Sequence, residues 1–483
     1  AYYNRGITYL KKGDYDKVIE DCNKAIELKS DNAAAYFMRG IAYGVKGDYD
    51  KAIEDYTKAI ELKPDFAETY YRLIALCENE NAKYIDTVIR ILENNKKHFK
   101  INIVYAMSQY KNIDRIISKL LDIDYDDYFY QTLNKDKKTD KNSKEYNCYK
   151  EIYLFSIKIM QLLHVRNNEE TGNGFVHYTR KDIAETLLIK KKDEGKVSPF
   201  RLNSILTSND PTEGEIVFDY LGLENKGTDR DYQAFIACFT FDSECLNQFR
   251  LYGKEEGQEA TGVSLVFNKN FFAENPAQIV SKGMIKGQDD KTVTQAEKTT
   301  IDKYPLYRCV YIDPKTKQII TLGHKDDYTF FRSYSEINEV KQNEIREKID
   351  NYKKDINEKL QAVRDEFEAL KKYIDNAKTE HNIKDQIVCD LLINLRYLIK
   401  HIAFKEEQEC RIVKVETLAN HDKVKLEGDK MFIETQAIGR FIDKIFFAPN
   451  AAGMELFQEK LIYYGSKHIT CYQCEHPIRI ARQ

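Results

Sequence analysis

Glu407 and Glu409, in the run FKEEQECRIV, stand two residues apart on a predicted strand, a spacing that turns both carboxylates to one face of a sheet. Carboxylates fixed in that way can stabilise a developing positive charge, although a solvated strand face carrying Glu407, Glu409 and Arg411 is the plainer reading. Earlier in the chain, GFVHYTRKDIAETLL sets His177, Tyr178 and Thr179 at the end of a short apolar run, just before a helix-like segment. Rings there either close a core or line a nucleotide pocket. Tyr178 alternates to the side of the strand opposite His177, which makes it core or a second wall. Arg201 and Arg250 carry guanidinium forks that suit pyrophosphate oxygens and equally suit surface ion pairs. Asn209-Asp210-Pro211 is a turn signal, placing a loop with Asn209 as a possible contact.

Positioning such residues requires a sheet. From residue 174 onward, FVHY, AFIACFTF, TGVSLVF, YRCVYI, QIITL, CRIVKVE, MFIET and DKIFFAP fit strands of four to eight residues with helices between them. The pattern predicts a mixed α+β domain over 170–483, interrupted by a helical insertion at about 326–400. In that insertion Ile345, Ile349, Tyr352, Ile356, Leu360, Val363, Phe367, Leu370 and Ile374 recur mostly every four and three residues, which is a heptad seam. The seam folds back against the following helix, IVCDLLINLRYLIKHI, or pairs with a second subunit as a homo-oligomer.

The N-terminal region has another texture. NRGITYLKKGDYDKVIEDCNKAIELKSDNA and MRGIAYGVKGDYDKAIEDYTKAIELKPDFA match almost residue for residue, and Gly6 to Gly40 sets a period of 34. That period predicts stacked helix pairs, and the segments resemble the tetratricopeptide repeat. Gly6, Ala25, Gly40 and Ala59 fall where paired helices approach closely, Tyr9, Tyr15, Tyr43 and Tyr49 supply larger packing partners, and Lys63-Pro64 stops the second helix. The repeats occupy 1–78, with TYYRLIALC as a third first-helix. A helical extension and linker (YIDTVIRILENN, NIVYAMSQY, IDRIISKLLDI, the polar tract 134–147 and EIYLFSIKIMQLLHV) fills 79–169. Such arrays bind proteins or peptides, and the chain begins inside a repeat, so a longer N-terminus is expected.

Composition narrows the classes. Lys+Arg 75 against Asp+Glu 78 leaves a net charge of -3, so no global field draws the protein to nucleic acid or an anionic membrane. No apolar run is long enough to span a bilayer. Ten scattered cysteines read as reduced thiols of a cytoplasmic protein. HITCYQCEH gathers His468, Cys471, Cys474 and His476, but it lacks the second knuckle of a zinc site and reads as alternation along a terminal strand, so no metal is expected.

Four motifs follow in order: HYT (177–179), FRLNSILTSNDPTEGE (200–215), ACFTFDSECLNQFRLYG (237–253) and FKEEQECRIV (404–413). Together, over about 170–480, they resemble a bacterial family of uncharacterised domains placed among the ADP-ribosyltransferase-like folds, akin to diphtheria-toxin-type enzymes. That resemblance implies NAD as substrate. Transfer of ADP-ribose breaks a glycosidic bond through an oxocarbenium-like transition state, which a fixed carboxylate stabilises. It implies Glu409 as the catalytic residue holding the ribose 2′-hydroxyl and Glu407 as the helper that orients the acceptor, with an exchange of these roles left open. It gives His177 the adenosine ribose, with Tyr178 and Thr179 beside it, and Tyr252 the nicotinamide ring. Relatives often carry Trp where this chain has Phe249, which can keep the packing, and Cys410, which is smaller and expected to loosen the strand. No G-x-G-x-x-G loop marks a Rossmann dehydrogenase, and no Ser-His-Asp order stands out.

Three functions remain in view. The first is a two-part bacterial effector, of toxin or phage-defence type, whose repeats recognise a partner or trigger while the second domain ADP-ribosylates a macromolecule. The second is a glycohydrolase that depletes NAD. The third is a non-catalytic binding module.

Overall fold

The computed structural model describes residues 2–77, 82–95, 143–165, 174–189, 197–207, 214–225, 232–252, 259–272, 304–332 and 339–474. The chain divides into two compact units, one within Ala1–Gln161 and one starting at Leu162.

The first unit is helical. Its elements are α1 (Tyr2–Lys12), α2 (Tyr15–Leu28), α3 (Ala33–Val45), α4 (Tyr49–Leu62), α5 (Ala67–Ala75), α6 (Ala82–Asn95) and α7 (Lys144–Leu163), the last running to the unit boundary. The repeated GDY explains why each pair breaks where it does. Gly13 and Gly47 turn the chain at φ 73° and 81°, and Asp14 and Asp48 then cap α2 and α4 by accepting from the Lys17 and Lys51 amides. Close approach is real at Gly40, where a Cβ would come within 2.7 Å of the Tyr56 ring. The repeats also carry a charged ladder. Arg5 grips the buried Asp21, and 34 residues later Arg39 grips the buried Asp55 while reaching across to Asn23 at 2.6 Å. The expected helices TYYRLIALC and YIDTVIRILENN are α5 and α6, whereas NIVYAMSQY and IDRIISKLLDI lie outside the described residues.

The second unit is mixed α and β. Its strands are β1 (Phe175–Thr179), β2 (Arg201–Ser204), β3 (Tyr232–Phe239), β4 (Val263–Phe267), β5 (Tyr307–Arg308), β6 (Val310–Asp313), β7 (Gln318–Leu322), β8 (Ile399–His401), β9 (Cys410–Thr417), β10 (Val424–Glu427), β11 (Lys430–Glu434), β12 (Ile442–Phe447) and β13 (Thr470–Gln473). They form three sheets, ordered β1-β4-β12-β13, β10-β11-β2-β3-β9-β5 and β7-β6-β8. All eight apolar runs read as strands are strands, and HITCYQCEH supplies β13, its His476 lying outside the described residues. An isolated bridge, Val176 to Thr240, ties β1 of the first sheet to the chain just beyond β3 of the second. Beneath this junction Phe200, Phe239, Phe267, Phe271 and Phe272 pack ring on ring with centroids 4.7–6.5 Å apart.

The helices of this unit are α8 (Lys181–Leu188), α9 (Ile216–Leu221), α10 (Leu246–Tyr252), α11 (Asp327–Arg332), α12 (Glu339–His381), α13 (Asp385–Leu391), α14 (Ile393–Arg396) and α15 (Met454–Tyr463). The heptad face is buried along α12 within its own unit. Ile345 and Ile349 pack with Phe330, Phe367 meets Tyr220 edge to face at 5.7 Å, and Arg364 donates to the Ile319 carbonyl at 2.9 Å. The stretch IVCDLLINLRYLIKHI is not one helix. It breaks into α13, α14 and then β8, because Ile399, Lys400 and His401 pair with Val310, Tyr311 and Ile312 of β6.

Candidate functional site

Where β1, β2, β3, α10 and the β8–β9 connection meet, the second unit opens a cleft of about 560 Å³. His177 stands in its wall at the centre of β1. Nδ1 lies 2.9 Å from the Cys238 carbonyl oxygen, and since a carbonyl only accepts, Nδ1 carries the proton and Nε2 is left as an acceptor. Burial holds the imidazole below its ordinary pKa, with the bond to Cys238 partly opposing this, so the ring is neutral near pH 7. Phe200 and Phe239 pack against it at 5.1 and 5.6 Å.

Tyr178 borders the cleft but is tied elsewhere. Its hydroxyl donates to the Asp242 carbonyl at 2.6 Å and accepts from the Cys245 amide at 2.8 Å, while its ring meets Phe249 edge to face at 4.9 Å. It therefore fixes the turn that starts α10, the helix presenting Gln248, Leu251 and the half-exposed Tyr252 to the cleft. Phe249 does keep the packing, being fully buried. Thr179 lines the cleft beside Arg180.

The glutamates depart from the expected strand. Glu407 ends a 3-10 turn (Ile402–Glu407), and Glu409 precedes β9. Between them Gln408 adopts a left-handed conformation, φ 46°, with its side-chain oxygen accepting from the His324 amide at 2.9 Å. This kink, rather than strand alternation, brings both carboxylates onto one ammonium, that of Lys400 in β8. Arg411 completes the cluster, donating to Glu409 from Nε at 2.7 Å and from Nη2 at 3.1 Å. The backbone of Glu409 is held as well. Its N–H donates to the Tyr311 hydroxyl at 2.9 Å, and its carbonyl accepts from Cys309 at 3.0 Å. Gly323 sits so close to that carbonyl that any Cβ there would collide with it.

Two acids and two bases make this cluster neutral overall, yet the acids differ. Burial alone would lift the Glu409 pKa, but Arg411 and Lys400 outweigh it and hold the carboxyl well below the usual range. Burial wins at Glu407, whose pKa is raised despite Lys400, with Glu409 adding to the rise. Lys400 is itself penalised by burial, but the two carboxylates keep it firmly protonated.

The remaining expected residues divide. Arg201 lines the cleft, stacks on Phe432 at 3.8 Å and pairs with Glu427 and Glu434. Arg250 does not line it and lies 3.9 Å from Glu259 on the surface. Asn209 lies outside the described residues. Cys410 is fully buried between Phe239 and Arg308 in the strand register. Sequence reasoning missed Lys400, Phe404, Arg180 and Lys430, all of which line the cleft. Among the described residues no cluster of three His, Cys, Asp or Glu could hold a metal, and no helix is long and apolar enough to cross a membrane.

The tetratricopeptide repeat family matches residues 1–32 and 33–66. The N-terminal helices thus belong to a class of repeat solenoid that recognises protein or peptide partners. No curated protein matches the chain.

Proposed function

We propose that the second unit binds NAD in this cleft and transfers ADP-ribose to a macromolecular acceptor, with the repeats recognising a partner or trigger. One observation carries the reading: His177, Tyr252, Glu407 and Glu409, chosen from three separate stretches of sequence, line a single cleft. Its volume of about 560 Å³ suits a ligand of dinucleotide size. His177 Nε2 can accept from a ribose hydroxyl. Tyr252 and Phe404 offer ring faces to nicotinamide, and the cationic rim of Arg180, Arg201 and Lys430 suits a pyrophosphate. In the reaction the bond from ribose C1′ to the pyridinium nitrogen breaks and nicotinamide leaves with the bonding pair. A carboxylate of the cluster stabilises the cationic sugar. An acceptor lone pair then bonds to C1′, and the acceptor proton passes to solvent. Water in place of the macromolecule would make the protein an NAD glycohydrolase by the same steps.

The test is NAD binding by calorimetry and nicotinamide release from labelled NAD, with cell lysate as acceptor source, for wild type beside Tyr252→Ala. Binding and release that weaken in the variant support the site, and label carried onto lysate macromolecules distinguishes transfer from hydrolysis. Absence of NAD binding by the wild type sinks the reading and leaves a repeat-based interaction protein.

A further inference from the structure

We propose that Glu407, rather than Glu409, is the carboxylate that meets the nicotinamide ribose, and that Glu409, Lys400 and Arg411 are positioning residues that aim it. The assignment rests on the reading of the cleft as an NAD site, and it reverses the order of roles that the sequence resemblance implies.

The ground is an inventory of donors and lone pairs. A carboxylate offers about four acceptor positions. Those of Glu409 are taken by Arg411 Nε at 2.7 Å, Arg411 Nη2 at 3.1 Å, the Lys400 ammonium and a side-chain hydrogen bond from Cys238. Its backbone is pinned on both sides by Tyr311 and Cys309. A ribose hydroxyl could reach this carboxylate only by displacing the Cys238 thiol or a buried cation, and the loss of either cation contact leaves a buried charge under-paired at large cost. Glu407 is built differently. Its Oε2 takes the same Lys400 ammonium, and among the described residues Oε1 meets no donor. Both glutamates line the cleft with Phe404 and Tyr252, but the Glu407 side chain is 13% exposed against 6% for Glu409.

The arrangement has a chemical logic. Arg411 neutralises Glu409, Glu409 anchors Lys400, and Lys400 fixes one oxygen of Glu407. The other oxygen is left to accept from a ligand in the cleft that Glu407 lines, with its partner oxygen already fixed as charge develops at C1′. It accepts the 2′-hydroxyl while the C1′–N bond breaks.

Three variants separate the outcomes, each assayed for NAD affinity, nicotinamide release, its pH profile and thermal unfolding. Glu407→Gln is expected to bind NAD nearly as wild type, keep its melting temperature and lose on the order of 100-fold or more in release. Glu407→Asp is expected to retain some turnover, with the acid limb of its pH–rate profile moved to lower pH, a change that a purely structural residue would not produce. Glu409→Gln is expected to melt well below wild type. Wild-type release by Glu407→Gln would overturn the assignment. So would a Glu409→Gln protein of unchanged melting temperature that had lost turnover. Wild type that binds NAD but releases no nicotinamide would overturn it alone, whereas wild type that binds no NAD would take the reading of the cleft down with it.

Discussion

Glu407 and Glu409 share one ammonium yet respond to pH in opposite senses. The folded pKa of Glu409 lies below its unfolded value, so its contribution to stability is complete above the unfolded value and is lost as pH falls towards the folded one. The folded pKa of Glu407 lies above its unfolded value, so stability falls as pH rises between the two. Urea unfolding at pH 7 should therefore show Glu409→Gln losing about 3–5 kcal/mol, as expected when one partner of a buried charge cluster is removed. Glu407→Gln should lose nothing or gain slightly, the behaviour of a residue retained for function rather than stability. At Tyr178, replacement by Phe removes the hydroxyl bridge between Asp242 and Cys245 and should cost about 1–3 kcal/mol. It should also weaken NAD binding by loosening the helix that presents Tyr252, a loss that calorimetry would read. Tyr178 was legible as an inward-facing ring, but its hydroxyl partners lie 64 and 67 residues away, beyond what alternation in HYT can show.

At the scale of elements, the strands were legible because each is a short apolar run bounded by polar residues, and the repeats because their helix breaks recur with their Gly-Asp signals. β8 was not. LIKHI continues the apolar spacing of LINLRY without Gly, Pro or a cap, and only the ladder to β6 makes it a strand. Lys400 was missed for that reason, since on a helix nothing would have aimed it at Glu407. The glutamate pair was found by the wrong geometry: a left-handed Gln408 mimics the convergence that a strand would have given. The heptad spacing on α12 was ambiguous between self-packing and association, and the burial of Val363, Phe367 and Leu370 within one chain favours the former. Phe367→Ala should accordingly cost about 3–5 kcal/mol in unfolding of the second unit. Sedimentation of the folded variant should match wild type, and a wild-type dimer dissociated by this change would contradict the packing.

For the whole molecule, two compact units with separate cores should report separately on heating. NAD at 100 times its dissociation constant should stabilise the second unit by about 2.7 kcal/mol. Calorimetric scans should show its transition rise while that of the repeats stays put, and Asp55→Asn should lower only the latter. A uniform shift of both would argue against independent folding. The charged ladder of the repeats carries a last consequence. Counting 34 residues onward from Arg39 and Asp55 reaches Leu73 and Ile89, both buried and both apolar, so the two members of the ion pair disappear together. The first two modules are thus interchangeable in kind, while the α5–α6 pair sets apolar packing where they set an ion pair. Each ion pair closes within its own module and only Arg39 reaches back across a seam, to Asn23, so a consensus module spliced in after Pro64 would bring its own pair but find Thr57 where Arg39 finds an asparagine.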